Sequence, residues 1–417
     1  MPLLPEKLHS SAFATSFTTA TTTAAASSSR NSVTASSVNS GRNSIPNHAA
    51  FLSPYTTIHP RNLASTTISP FSTNGRMPTF LLSSVACNDG TLVVSRTTPS
   101  SSSSSSSQNQ FNLQYRIFRP RSLSSQQGAP IVILHGGPGV PSDYLYPLVD
   151  VVPYRSMVYF DQLGCGRSDA PADLDFYSIS NAIDDLEKLI KKLGIRRFHL
   201  YGQSYGGILA FEYLKRVAER KKMNENGRDD DARCLSVILS STPTSVSLVE
   251  ETATRLLDAI KSEEDEKETR NDENNGEDDE SDAAGAGENK KKKDNESNNE
   301  QILESFRQRH QCRTPSIPQP LSDAYSHAGT VWRGTTAIPD YVAKPPSDGV
   351  PRMPSAMIMR GEHDFVTQEC MEGWKKDDLF GHKFVREVVL AGCAHHGLLE
   401  NPRLYGDVVD SFFAEYD

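Results

Sequence analysis

The chain is poor in the features that mark several large protein classes. No run of 18 or more apolar residues occurs in its 417 residues, so no segment reads as a membrane-spanning helix. No apolar stretch follows Met1, which argues against a secretory signal. The six cysteines, Cys87, Cys165, Cys234, Cys312, Cys370 and Cys393, are widely scattered with no C-x-x-C pair. That spacing speaks against a zinc site and against a disulfide framework, and it fits a reducing compartment. A basic helix and RNP-like aromatics are also missing, so nucleic-acid binding finds no support. Nothing in the pattern asks for a metal or a cofactor, and oligomeric state is not legible.

Two segments dilute the apolar content. Residues 1–80 are rich in Ser, Thr, Ala and Asn, with Lys7, Arg30, Arg42, Arg61 and Arg76 against the single acid Glu6. Such a stretch lacks the apolar surface to fold, and is expected to be disordered. Its composition is also that of a transit peptide, which points to an organelle, plastid or mitochondrion; a plain low-complexity tail on a cytoplasmic protein is the alternative. The second segment, 262–300, holds sixteen acids and six bases, a net charge of about −10 against −9 for the whole chain. It reads as a self-repelling, disordered insertion, and Lys290–Lys293 within it as solvated rather than nucleic-acid binding. The acidity of the chain therefore says nothing about the partners of the folded part.

Between these segments short apolar runs alternate with helical patterns. Residues 83–95 suggest a strand pair about an Asn88-Asp89-Gly90 turn, and 111–118 alternates as a strand. Ile131–Leu134 and Met157–Phe160 are continuous apolar runs of the kind buried on both faces of a parallel sheet, and Leu235–Leu239, Ser355–Met359 and Phe384–Leu390 read as further strands. Tyr177 to Gly194 is a helix capped by Ser178 or Ser180, with Ile183, Leu186, Leu189, Ile190 and Leu193 on one face. Leu404 to Phe413 closes the chain as another. This alternation predicts an α/β fold with a mostly parallel sheet flanked by helices. Residues 241–345 offer helices, such as 250–260 and 301–311, and no strong strand.

The chemistry collects at the ends of those strands, where parallel sheets bind ligands. Phe198-His-Leu-Tyr-Gly-Gln-Ser-Tyr-Gly-Gly207 reads as strand, sharp turn and helix, with G-x-S-x-G on the turn. Glycines at that corner let the two backbones approach, and Ser204 is left at a helix N-terminus. A serine hydroxyl needs a base, the base needs a carboxylate to fix its tautomer, and the developing oxyanion needs donors. Ser204, Asp364 after the strand ending at Met359, and His395 after the last strand follow the order Ser, Asp, His of α/β-hydrolases. His396 could stand in for His395, and Asp377 or Asp378 for Asp364. The expected oxyanion donors are the backbone N–H groups of Gly137 and Tyr205. Cys165 and Cys393 read as packing residues, and Asp161 and Arg167 as ties within their own loop.

The motifs HGGPG at 135–139, DQLGCGRS at 161–168, GQSYGG at 202–207, GEHD at 361–364 and GCAHHGLLENP at 392–402 together resemble the prolyl aminopeptidase (proline iminopeptidase) family of α/β-hydrolases. The resemblance runs from about residue 85 to 416 and is weak between about 241 and 345. The spacing from His395 to Glu400 also resembles the family and favours His395 over His396. It implies an α/β-hydrolase fold in two parts, 81–240 and 346–417, with a helical cap over 241–345 inserted before the Asp-bearing strand. It further implies a serine hydrolase that releases an N-terminal residue, proline or a small apolar one, from short peptides. Gly136, Trp332 and Glu304 are then expected to meet the substrate, with Asp323 and Asp340 as further acids for a free amine. The family often carries Trp-Glu in the cap, whereas here Trp332 is followed by Arg333. An esterase, lipase or amidase acting on a small non-peptide substrate is the alternative.

Overall fold

Val132 and Leu134 point to one side of the sheet and Ile131 and Ile133 to the other, all four fully buried. That period of two organises the whole core. The computed structural model describes residues 55–58, 85–97, 108–120, 126–223, 232–274, 298–349 and 353–417. Its strands are β1 (Tyr55–Ile58), β2 (Val85–Thr97), β3 (Gln108–Pro120), β4 (Ile131–Leu134), β5 (Met157–Phe160), β6 (Arg197–Gln203), β7 (Arg233–Ser240), β8 (Ser355–Gly361) and β9 (Val385–Leu390). Among the described residues they form one sheet in the order β1-β9-β8-β7-β6-β4-β5-β3-β2. Only β3 runs against its neighbours, β2 and β5.

Val132, Leu200, Leu239 and Ile358 pack under helices Ile179–Lys192 and Tyr205–Met223, through Ile183, Leu186, Leu189, Ile208 and Phe211. Ile131, Ile133, Ile238 and Met357 face helix Pro402–Ala414, through Val408, Val409, Phe412 and Phe413. Each such side chain contributes about 1.5–3 kcal/mol on burial. A sheet covered on both faces is the predicted architecture.

Three expectations need correction. The Asn88-Asp89-Gly90 stretch is not a turn but the middle of β2, paired without a break against β3. Asp89 is held there by Arg116 (2.6 and 2.9 Å) and Arg167 (3.2 Å). Gly90 is required because the Tyr115 ring lies over it; a Cβ would come within 2.7 Å of Tyr115 Cε2. Second, Tyr55–Ile58, within the segment expected to be unstructured, adds a parallel edge strand to β9. The rest of that segment, residues 1–54 and 59–80, lies outside the described residues, as do the transit-peptide expectation and Lys290–Lys293.

Third, the acidic segment begins inside a helix. Val246–Asn274 is continuous, so 262–274 is helical, while 275–297 lies outside the described residues. Glu and Lys are good helix formers, and opposite charges at i,i+3 and i,i+4 add to the effect. Lys267 reaches Glu264 (2.7 Å), Arg270 reaches Glu266 (3.3 Å), and Arg309 ties Glu263 to the turn beyond (2.7 Å).

The connection from β7 to β8 carries this helix, another over 298–306, a π-turn at Arg307–Gln311, helix Gln319–Ser326 and a 3-10 turn at Thr335–Ala337. It is the helical insertion expected before the Asp-bearing strand. No helix among the described residues is long and apolar enough to cross a membrane.

Candidate active site

Ser204 sits between the end of β6 and the helix that starts at Tyr205, with φ 54 in the left-handed region. A non-glycine residue there costs about 1–3 kcal/mol and persists only where surroundings enforce it. The surroundings do. The Ser204 N–H donates to Ser240 O (2.8 Å), and Gly207 N–H returns to Ser204 O (2.9 Å). A Cβ on Gly202 would lie 2.5 Å from Gly207 Cα, one on Gly206 2.6 Å from Leu134 C, and one on Gly207 2.6 Å from Thr242 Cγ2. The three glycines thus let β4, β7 and the helix converge on one serine, which is half-buried.

His395 and Asp364 are both buried, with His395 Nδ1 2.9 Å from Asp364 Oδ1. The same oxygen accepts the Val366 N–H (2.8 Å). The Phe365 ring covers the imidazole at 4.3 Å between centroids. Their two loops are laced together: His363 N–H donates to Cys393 O (2.9 Å) and Gly392 N–H to Glu362 Oε2 (2.8 Å). Glu400 Oε2 accepts the Ala394 N–H (2.8 Å), fixing the turn just before His395. His396 is buried as well, but its ring packs edge-on against Tyr144 and His395 and makes no hydrogen bond among the described residues. Burial, with His395 alongside, drives its pKa well below the ordinary histidine value. Asp377 and Asp378 are exposed. Asp364 and His395 are therefore the pair that the structure brings together.

The HGGPG loop supplies backbone amides. Gly137 adopts φ 113, and its N–H makes no hydrogen bond among the described residues. The Tyr205 N–H, at the first helical position, has no acceptor four residues back. Gly136 instead gives its N–H to Tyr144 OH (2.8 Å), which donates to Gln203 Oε1 (2.7 Å). Gln203 Nε2 then reaches His395 O (3.4 Å). One buried chain thus joins the amide loop, the residue before Ser204 and the His395 turn. Sequence reading missed Tyr144, Gln203 and Phe365; only Gln203, beside the serine, carried a local signal.

His135 is a brace. Its Nε2 accepts the Gln162 N–H (3.0 Å), its Nδ1 meets Gly136 O (3.0 Å), and burial lowers its pKa. Asp161 accepts the N–H of Ser142 (3.1 Å) and of Arg167 (3.2 Å), the loop tie expected of it. Burial pushes the Cys165 thiol well above its ordinary pKa and the Cys393 thiol to about 12, so both are inert packing groups.

The insertion is hydrogen-bonded onto these loops. Gly329 N–H donates to Gly139 O (2.8 Å), Gly334 N–H to Pro138 O (3.1 Å) and Gly166 N–H to His327 O (2.9 Å). On the far side, His396 N–H donates to Gln311 O (3.0 Å) and Phe365 N–H to His310 O (3.3 Å). Trp332 stacks on Tyr177 and, with Tyr205, lines a cavity of about 20 Å³. The acids are occupied or outside. Glu304 is held by Arg307 through two bonds (2.8 and 2.6 Å), Asp323 accepts from Gln319 (2.6 Å), and Asp340 is exposed. No cluster of three His, Cys, Asp or Glu among the described residues could hold a metal.

A proline iminopeptidase from Saccharolobus solfataricus is 41% identical over 104 residues, 24% of this chain and 32% of that protein. One from Lactobacillus helveticus is 34% identical over 157 residues, 37% of this chain and 48% of its own length. The chain thus spans between about a third and a half of these curated relatives. The crystal structure of a proline iminopeptidase from Mycobacterium smegmatis superposes with a TM-score of 0.52 at 22% identity, covering 78% of this chain and 98% of that one. Residues 129–402 match the α/β-hydrolase fold family, and with its sheet and serine elbow in place the chain belongs to that family.

Proposed function

We propose that the protein is a serine hydrolase in which Ser204 is the nucleophile, His395 the base and Asp364 the orienting acid, and that it releases an N-terminal residue from short peptides. The observation that carries this reading is the buried His395–Asp364 pair at 2.9 Å, on a turn tied through Gln203 to the strained Ser204. His395 takes the Ser204 proton as Oγ adds to the scissile carbonyl. The Gly137 and Tyr205 N–H groups receive the oxyanion, worth about 3–4 kcal/mol per donor in comparable sites. His395 then gives the proton to the leaving amine, and water attacks the acyl-enzyme by the same route. Asp364 holds the proton of His395 on Nδ1 and stabilises the imidazolium. That the two relatives are proline iminopeptidases supports proline as the residue released.

A second reading follows from the cap. A substrate ammonium in a closed site needs a carboxylate. Glu304 and Asp323 already have partners and Asp340 is exposed, which favours an amidase or esterase indifferent to the amine. A fluorogenic amide of proline against its N-acetyl counterpart decides between them. The aminopeptidase reading requires kcat/KM to fall by orders of magnitude on acetylation. Equal rates place the protein with the amidases and esterases.

A further inference from the structure

Arg333 stands out among the arginines. Among the described residues the three most deeply buried arginines each hold a carboxylate: Arg96 with Asp185 (2.5 Å), Arg155 with Asp410 and Asp417 (2.8 and 2.7 Å), and Arg307 with Glu304 (2.6 Å). Arg333 is half-buried; its backbone carbonyl accepts from Thr336 Oγ1 (3.0 Å), and its guanidinium makes no ion pair or hydrogen bond among the described residues. Burial pulls its pKa below the ordinary arginine value, and the group facing it, the Tyr325 phenol, is itself raised by burial and neutral. The three candidate acids of the cap do not pair with it: Glu304 is bound to Arg307, Asp323 to Gln319, and Asp340 is exposed.

Its position is equally specific. The turn that bears it lies on the HGGPG loop, held by Gly334 N–H to Pro138 O (3.1 Å) and Gly329 N–H to Gly139 O (2.8 Å). Arg333 Cα and Cβ lie 3.6 and 3.7 Å from where a Gly139 Cβ would stand. Gly137, the proposed oxyanion donor, is two residues away. An arginine side chain extends about 6 Å beyond its Cβ, within reach of a substrate seated on that loop. A guanidinium presents a planar fork of donors that matches a carboxylate.

We propose that Arg333 is the anion-recognising residue of the substrate pocket, and that the substrate is an acyl compound carrying a carboxylate. This deepens the serine-hydrolase reading and rests on it. A dipeptide with a free C-terminus satisfies both.

The test uses two matched pairs on the full chain: 4-nitrophenyl hydrogen glutarate against its neutral methyl ester, and Pro-Ala against Pro-Ala amide. The wild type is expected to favour the anionic member of at least one pair by about ten- to a hundredfold in kcat/KM, the range of a charge-assisted hydrogen bond. Arg333→Gln should erase that preference with the neutral rate kept, and Arg333→Lys should restore part of it. An uncharged alkyl fluorophosphonate, which reports on Ser204 alone, should label all three equally. No preference in either pair, or a preference that survives Arg333→Gln, overturns the inference while labelling at Ser204 leaves the hydrolase reading standing. Turnover of none of the four compounds overturns the inference, and loss of labelling as well overturns the hydrolase reading.

Discussion

Tyr144→Phe removes a single oxygen and tests whether the amide loop is held in place by the chain of bonds behind it. Tyr144 is 2% exposed; its hydroxyl accepts from Gly136 N–H (2.8 Å) and donates to Gln203 Oε1 (2.7 Å). The ring, and its edge-to-face contact with His396, stay. The variant leaves two buried polar groups unpaired at about 1–3 kcal/mol each, or about 2–6 kcal/mol together. In a domain of this size each kcal/mol lowers Tm by roughly 2–4 °C, so a fall of roughly 5 °C or more is expected. The loop also loses the anchor next to Gly137, and kcat should drop by about tenfold or more with KM little changed, since misplacement by an ångström can cost a hundredfold. Calorimetry and the rate of fluorophosphonate labelling measure the two effects. A Tm within about 1 °C of wild type together with an unchanged labelling rate would refute the reasoning.

Two more outcomes follow from the same geometry. His395→Gln and Asp364→Asn should each lower kcat by roughly four orders of magnitude, while His396→Phe keeps most of the activity; a reversed pattern between the histidines would make His396 the base. Stability should depend on pH through His135 and His396. Burial depresses both pKa values, so the folded state resists the proton that the unfolded chain accepts. Their stability is present in full above about pH 6.5 and is lost as pH falls below it, at up to about 1.4 kcal/mol per pH unit for each histidine. His396→Phe should flatten the fall between pH 7 and 5 in denaturant titrations, and parallel curves for the two proteins would contradict this.

Much of the fold was legible because its signals are local. Ile131–Leu134 and Met157–Phe160 are apolar throughout, which only a strand buried on both faces requires. The glycines about Ser204 announce a corner where three backbones meet. What stayed hidden depends on distant partners. Asn88-Asp89-Gly90 carries turn chemistry, yet thirteen ladder pairs with β3 and the Arg116 contact override it. The acids after 262 look self-repelling until Lys267 and Arg270 fall at helical spacing from Glu264 and Glu266. Tyr144 meets Gln203 across 59 residues and has no signature of its own. Glu304 is the exception, since its partner Arg307 stands only three residues on, at helical spacing, and the pairing could have been read locally.

The most direct test of the account is the site of covalent modification. Incubation with an alkyl fluorophosphonate followed by peptide mass spectrometry should place one adduct on the peptide containing Ser204. Ser204→Ala should carry none while keeping its folded Tm. An adduct on any other residue, or equal labelling of the Ser204→Ala protein, would contradict Ser204 as the nucleophile.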